Sequence, residues 1–104
     1  MTARSVRLSR AADGDVRDAI AHYAAEAGEQ VATGFRQALK DAVELLARFP
    51  EIGATTLGSA TSRPGMRTWP LSDFPYLVVY EQTPDYLSVV KVLHARRDIP
   101  ASLR

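Results

Sequence analysis

The stretch 76–98 limits what this chain can fold into more than any other: Tyr-Leu-Val-Val-Tyr-Glu-Gln-Thr-Pro-Asp-Tyr-Leu-Ser-Val-Val-Lys-Val-Leu-His-Ala-Arg-Arg-Asp. Two runs rich in Val, Leu and Tyr flank Thr83-Pro84-Asp85, which predicts two strands joined by a tight turn. The second run, residues 86–93, is too apolar for a strand with one wet face. It is expected inside a sheet covered by helices on at least one side. A polar tail, His94-Ala95-Arg96-Arg97-Asp98, ends it.

The upstream chain must supply the rest of that sheet and its cover. Residues 4–8 alternate, a short strand pattern with Val6 and Leu8 on one face. Ser9 suits a helix N-cap, although Ala12 stands where the Glu or Gln of a capping box would be. Asp13, Asp15 and Asp18 suit the positive end of the helix dipole. Ala12, Val16, Ala19, Ile20, Tyr23 and Ala27 then form one helical stripe, which Gly28 stops. A second stripe runs through Val31, Phe35, Ala38, Leu39, Ala42, Leu46 and Phe49, and Pro50 ends it. The short junction at Glu29 makes the two helices an antiparallel hairpin.

Residues 51–65, with Gly53, Gly58, Pro64 and Gly65, read as a loop. Alternation resumes at Met66-Arg67-Thr68-Trp69-Pro70-Leu71, with Arg67, Trp69 and Leu71 on one side. Pro70 cannot donate to a ladder, so this strand lies at an edge or ends there. The expected fold is α+β with order β-α-α-β-β-β. An antiparallel helical hairpin packs on a small sheet whose last three strands form an antiparallel meander.

At 104 residues the chain reads as one domain, 1–104, with a modest core. No apolar run approaches the roughly 20 residues of a membrane span, and the N-terminal residues lack the apolar stretch of a secretory signal. Cysteine is absent, so disulfides and thiolate chemistry are excluded and a cytoplasmic setting is expected. A net charge of +1 does not announce a nucleic-acid binder. Up to Ser62 there are seven Lys/Arg against eight Asp/Glu; from Arg63 onward there are six against four.

Few residues offer chemistry. His94, beside two arginines, is a possible general acid or base, or a structural histidine bonding a neighbouring loop. His22 reads as surface. Two histidines on separate elements and no cysteine give no metal-ligand spacing. There is no phosphate loop and no nucleophile elbow, so no cofactor is expected. What remains is Arg63, Arg67, Lys91, Arg96 and Arg97 among Trp69, Tyr76, Tyr80 and Tyr86. Alternation groups Lys91 with Leu87, Val89 and Leu93, opposite Val90 and Val92. If Val90 and Val92 face the helices, Lys91 emerges on the free sheet face among apolar side chains. That face reads as a protein-docking surface or an RNA-phosphate site; equally, Lys91 simply snorkels from ordinary surface.

Four segments, in order along nearly the whole chain, carry a family likeness. They are Ser9-Arg10-Ala11-Ala12; Leu46-Ala47-Arg48-Phe49-Pro50-Glu51-Ile52-Gly53; Met66-Arg67-Thr68-Trp69-Pro70-Leu71 before Phe74-Pro75-Tyr76-Leu77-Val78-Val79-Tyr80; and Val92-Leu93-His94-Ala95-Arg96-Arg97-Asp98. The chain resembles the ParE/RelE superfamily of type II toxin–antitoxin toxins, and most closely the ParE branch. RelE-type members are ribosome-dependent mRNA endonucleases; ParE-type members poison DNA gyrase by stabilising its cleaved-DNA complex. The resemblance implies a gyrase poison rather than an enzyme. The alternatives are a RelE-like nuclease with a reduced site of Arg67, Lys91, His94 and Arg97, and an inert interaction module of the same fold.

Either toxin branch implies a small dimeric ParD-like antitoxin in a heteromeric complex. Its C-terminal segment would lie over both helices and the free sheet face. Trp69, Arg67, Leu87, Lys91, Arg96 and Arg97 are the residues expected to meet antitoxin or target. No metal, no membrane contact and no direct sequence-specific nucleic-acid binding is expected.

Overall fold

Six elements follow in the expected order: β1 (Val6–Leu8), α1 (Arg10–Ala27), α2 (Glu29–Arg48), β2 (Arg67–Pro70), β3 (Tyr76–Gln82) and β4 (Leu87–His94). This computed structural model describes residues 3–55, 63 and 65–98; residues 56–62 and 64 of the expected loop lie outside them. The strands form one sheet in the order β1-β4-β3-β2. β2, β3 and β4 make the antiparallel meander, and β1 joins the other side of β4 in parallel. The most apolar run of the sequence is thereby an interior strand.

Local chemistry sets the helix ends. The Ser9 hydroxyl accepts the Ala12 N–H at 3.0 Å and donates to the Val90 carbonyl at 2.7 Å. One side chain thus starts α1 and fastens it to β4. Gly28 alone separates the helices, at φ 94°, a conformation that strains any residue with a Cβ. At the far end of α2, Phe49 takes non-helical angles (φ −130°, ψ 68°), as the following proline requires.

Both helices cover one face of the sheet. Ala12, Ala19 and Ala42 are buried there, and their small size lets the helices sit close to Tyr76, Val78, Tyr80 and Val89. Tyr23, Phe35, Phe74 and Tyr76 fill the remaining space as a ring cluster with centroids 5.2–6.2 Å apart. The α2 stripe departs from expectation at its ends. Val31 and Phe49 are 36% and 53% exposed, whereas Ala32 and Ala47 are buried. Val31 sits in the first turn beside the hairpin bend, and Phe49 has already left the helical path.

A larger departure lies in β4. Val79 pairs with Lys91 and Tyr80 with Val89, which leaves Val90 as an extra residue. Such a bulge shifts the phase of alternation along the strand. Leu87, Val89 and Val92 therefore all face the helices, while Leu93 joins Val79 and Met66 in a small cluster on the other face. Strict alternation across residues 87–93 does not hold.

The chain after α2 is pinned by one buried phenol. Tyr80 donates to the Pro50 carbonyl at 2.8 Å and accepts the Gly53 N–H at 2.9 Å. A Cβ on Gly53 would strike Tyr80 and come 2.9 Å from the Thr68 carbonyl oxygen, so only glycine fits. Burial raises the Tyr80 pKa, partly offset by the Gly53 N–H and by Arg67. Tyr80→Phe should strand two backbone groups and cost roughly 1–3 kcal/mol in urea unfolding. Because the folded pKa is raised, this tyrosine's contribution is complete below the ordinary tyrosine pKa and is lost as pH rises through the folded one. The variant should show less alkaline destabilisation than the parent.

Candidate functional site

The residues expected at a site fall in three places. Arg67 lies opposite Tyr80 on β2, and its guanidinium donates to the carbonyls of Glu51 and Gly53, each at 3.0 Å. It holds the turn after α2 against the sheet. Lys91 lies opposite Val79 on β4, but its ammonium sits 3.3 Å from Asp15 of α1. The other Asp15 oxygen accepts the Val92 N–H at 2.9 Å. This carboxylate therefore closes the edge of β4 where β1 has ended. Lys91 is tied to the helix layer rather than standing unpaired on the free face.

His94 and Arg97 are brought together, in the turn that ends β4. His94 Nδ1 accepts the backbone N–H groups of Arg96 and Arg97 at 3.3 and 3.1 Å, which leaves the neutral ring's proton on Nε2. The ring packs edge-on against Tyr76, with centroids 5.1 Å apart. Asp98 accepts the His94 N–H at 2.8 Å and Arg97 Nε at 3.2 Å. Ala95 N–H reaches the Pro75 carbonyl at 2.7 Å. Arg96 is exposed. β3 separates Arg67 from Lys91, so the four groups of a reduced nuclease site do not converge.

Leu87 and Trp69 also lie elsewhere than on a free face. Leu87 is fully buried on the helix side, because the Val90 bulge keeps it in phase with Val92. A docking role for Leu87 is thereby corrected to a core role. Trp69 pairs with core-facing Val78 and packs against the same core, half-buried.

Two surface features remain. The first is a cleft of about 210 Å³ between α1 and the 94–98 turn, lined by Asp15, Asp18, His22, Tyr76, Arg97 and Asp98 among others. Its carboxylates make it a poor seat for phosphate. The second runs along the outer side of α2 as two depressions, about 150 and 260 Å³, which share Asp41 and Leu45. Trp69 and Pro70 border one and Phe49 the other. Leu45, Phe49 and Ile52 are 37%, 53% and 41% exposed there. Among the described residues no group of His, Cys, Asp or Glu could hold a metal ion, and no helix is long and apolar enough to cross a membrane.

Sequence reasoning missed Asp15 and Leu45. Asp15 does carry a signal: it lies three residues after Ala12 and four before Ala19, on the buried face of α1. Leu45 stands next to Leu46, and periodicity assigns only one of two adjacent leucines to the core.

A helical hairpin on one face of a 1-4-3-2 sheet, its first strand parallel and its last three antiparallel, is the α+β fold of the ParE/RelE-like toxins. The chain belongs to the ParE toxin family of type II toxin–antitoxin systems, parDE, whose sequence profile matches residues 6–99. The chromosomal ParDE TA system from P. aeruginosa, a solved structure, is similar in fold. The two superpose with a TM-score of 0.74 at 22% identity, over 89% of this chain and 97% of that chain. No curated protein matches the sequence.

Asp98 offers a test of the turn. Its pKa is held below the ordinary carboxylate range, chiefly by the His94 N–H and also by Arg97. A lowered folded pKa means that its stabilisation is present above the ordinary carboxylate value and lost as pH falls through the depressed one. The His94 amide proton shift should follow that titration by NMR. Asp98→Asn should abolish the pH-dependent movement.

Proposed function

We propose that this chain inhibits DNA gyrase by stabilising its cleaved-DNA complex, and that a ParD-like antitoxin neutralises it in the cytoplasm by forming a heteromeric complex. One observation carries the choice of gyrase over RNA cleavage. Every group that could activate a 2′-OH or neutralise a phosphate is engaged within the fold: Arg67 by carbonyls, Lys91 by Asp15, His94 Nδ1 by two backbone N–H groups, Arg97 by Asp98. General-acid or general-base work needs a group within hydrogen-bond reach of the reacting proton. Here those groups hold the turn after α2, the β4 edge and the C-terminal turn.

The charge distribution supports the same reading. A ribosome-directed nuclease grips RNA by neutralising phosphates. The cleft beside His94 and Arg97 instead presents Asp15, Asp18 and Asp98. A protein target, met through surface shape and apolar contacts, suits this chain better.

Purified protein added to gyrase and relaxed plasmid should inhibit supercoiling and leave trapped linear DNA at near-equimolar ratio. His94→Ala, checked for folding, should retain most of that effect. No effect on active gyrase, together with cleavage of mRNA on programmed ribosomes, would overturn the proposal.

A further inference from the structure

The outer side of α2 carries apolar surface that the monomer does not use. Leu45 and Phe49 lie one helical turn apart, and Ile52 follows in the turn that Tyr80 and Arg67 pin to the sheet. Their exposure is built in. Phe49 cannot swing inward without breaking the Pro50 and Gly53 bonds to the Tyr80 hydroxyl. Ala38 and Ala42 give the groove a shallow floor, Trp69 forms one wall, and Asp41 and Glu44 stand along it. From Ala38 to Phe49 it extends about 16 Å, the length of roughly three turns of helix.

What enters this groove cannot add as a strand. The outer edge of the neighbouring β2 is closed along its length. Met66 N–H donates to the Arg63 carbonyl, Thr68 N–H and C=O both pair with Ala54 at 2.9 Å, and Pro70 has no N–H. The occupant must therefore present side chains. Small residues in the floor admit a close helix, and the exposed Leu45, Phe49 and Ile52 match an apolar ridge at i, i+3 or i+4, and i+7. The carboxylates of Asp41 and Glu44 call for cations flanking that ridge.

We infer that the groove formed by α2, Trp69 and the turn after α2 receives an amphipathic α-helix of the antitoxin, with Lys or Arg set against Asp41 and Glu44. This inference rests on the toxin–antitoxin reading proposed above. Phe49 is its apolar anchor; the acidic pair fixes the direction in which the helix lies. Tyr80 and Arg67 act as positioning residues for Phe49 and Ile52.

The test uses the full chain and the purified protein encoded by the reading frame adjoining this one, with binding followed by calorimetry. Phe49→Ala should weaken binding at least tenfold, Leu45→Glu more, and Glu44→Lys should weaken it most at low salt. All three positions are exposed, so thermal unfolding should match the parent. Wild-type binding that persists unchanged in Leu45→Glu and Phe49→Ala would place the helix elsewhere and overturn the inference while leaving the toxin–antitoxin reading intact. Failure of the wild-type chain to bind its neighbour would overturn both. A homodimer dissolved by Leu45→Glu would assign the groove to a second copy of this chain, again against the inference.

Discussion

The backbone of β4 beyond Leu8 would be a bare sheet edge if α1 did not supply its partners. Ser9 meets it from both main chain and side chain, through its N–H to the Val89 carbonyl at 2.9 Å and its hydroxyl to the Val90 carbonyl. Asp15 takes the Val92 N–H and the Lys91 ammonium. The Val90 bulge makes this seam possible, because it turns the strand so that Val92 returns to the helix side as α1 passes over it. Unpaired backbone groups cost about as much when buried as a hydrogen bond is worth in an apolar medium. The position of α1, and hence of the whole hairpin, is thus set by polar bonds at a strand edge as much as by the apolar core.

The same logic recurs at the other side of the sheet. There Tyr80 and Arg67 bind three carbonyls and one N–H of the 50–53 turn, and Ala54 closes β2. In each place a residue type that elsewhere performs chemistry instead satisfies backbone. Chemical groups in this chain are structural, and the unused surface is apolar. That division is what favours a toxin acting by contact with a protein target over one acting by phosphodiester cleavage.

Much of this was legible in the sequence. The six elements follow from periodicity, from Ser9, Gly28 and Pro50 as punctuation, and from the density of Val, Leu and Tyr after residue 76. The edge position of β2 follows from Pro70. What the pattern could not reveal is the bulge, since an inserted residue in an all-apolar run leaves no gap in alternation to notice. That single shift moved Leu87 from a surface to the core. Asp15 was hidden for a different reason: near a helix start an aspartate has a sufficient explanation in the dipole. The roles of Arg67 and His94 depend on carbonyls and N–H groups, which a side-chain pattern does not display. Trp69 lay on the expected side of its strand, with Arg67 and Leu71, yet which side the helices cover is settled only by pairing with β3.

The most direct test of the central claim is made inside cells. Sequencing of DNA break ends and of mRNA 5′ ends, from the same culture shortly after induction of this chain alone, reads both targets at once. Contact with gyrase predicts double-strand breaks clustered at gyrase sites with unaltered mRNA ends. New mRNA ends within translated codons, without DNA breaks, would contradict the account.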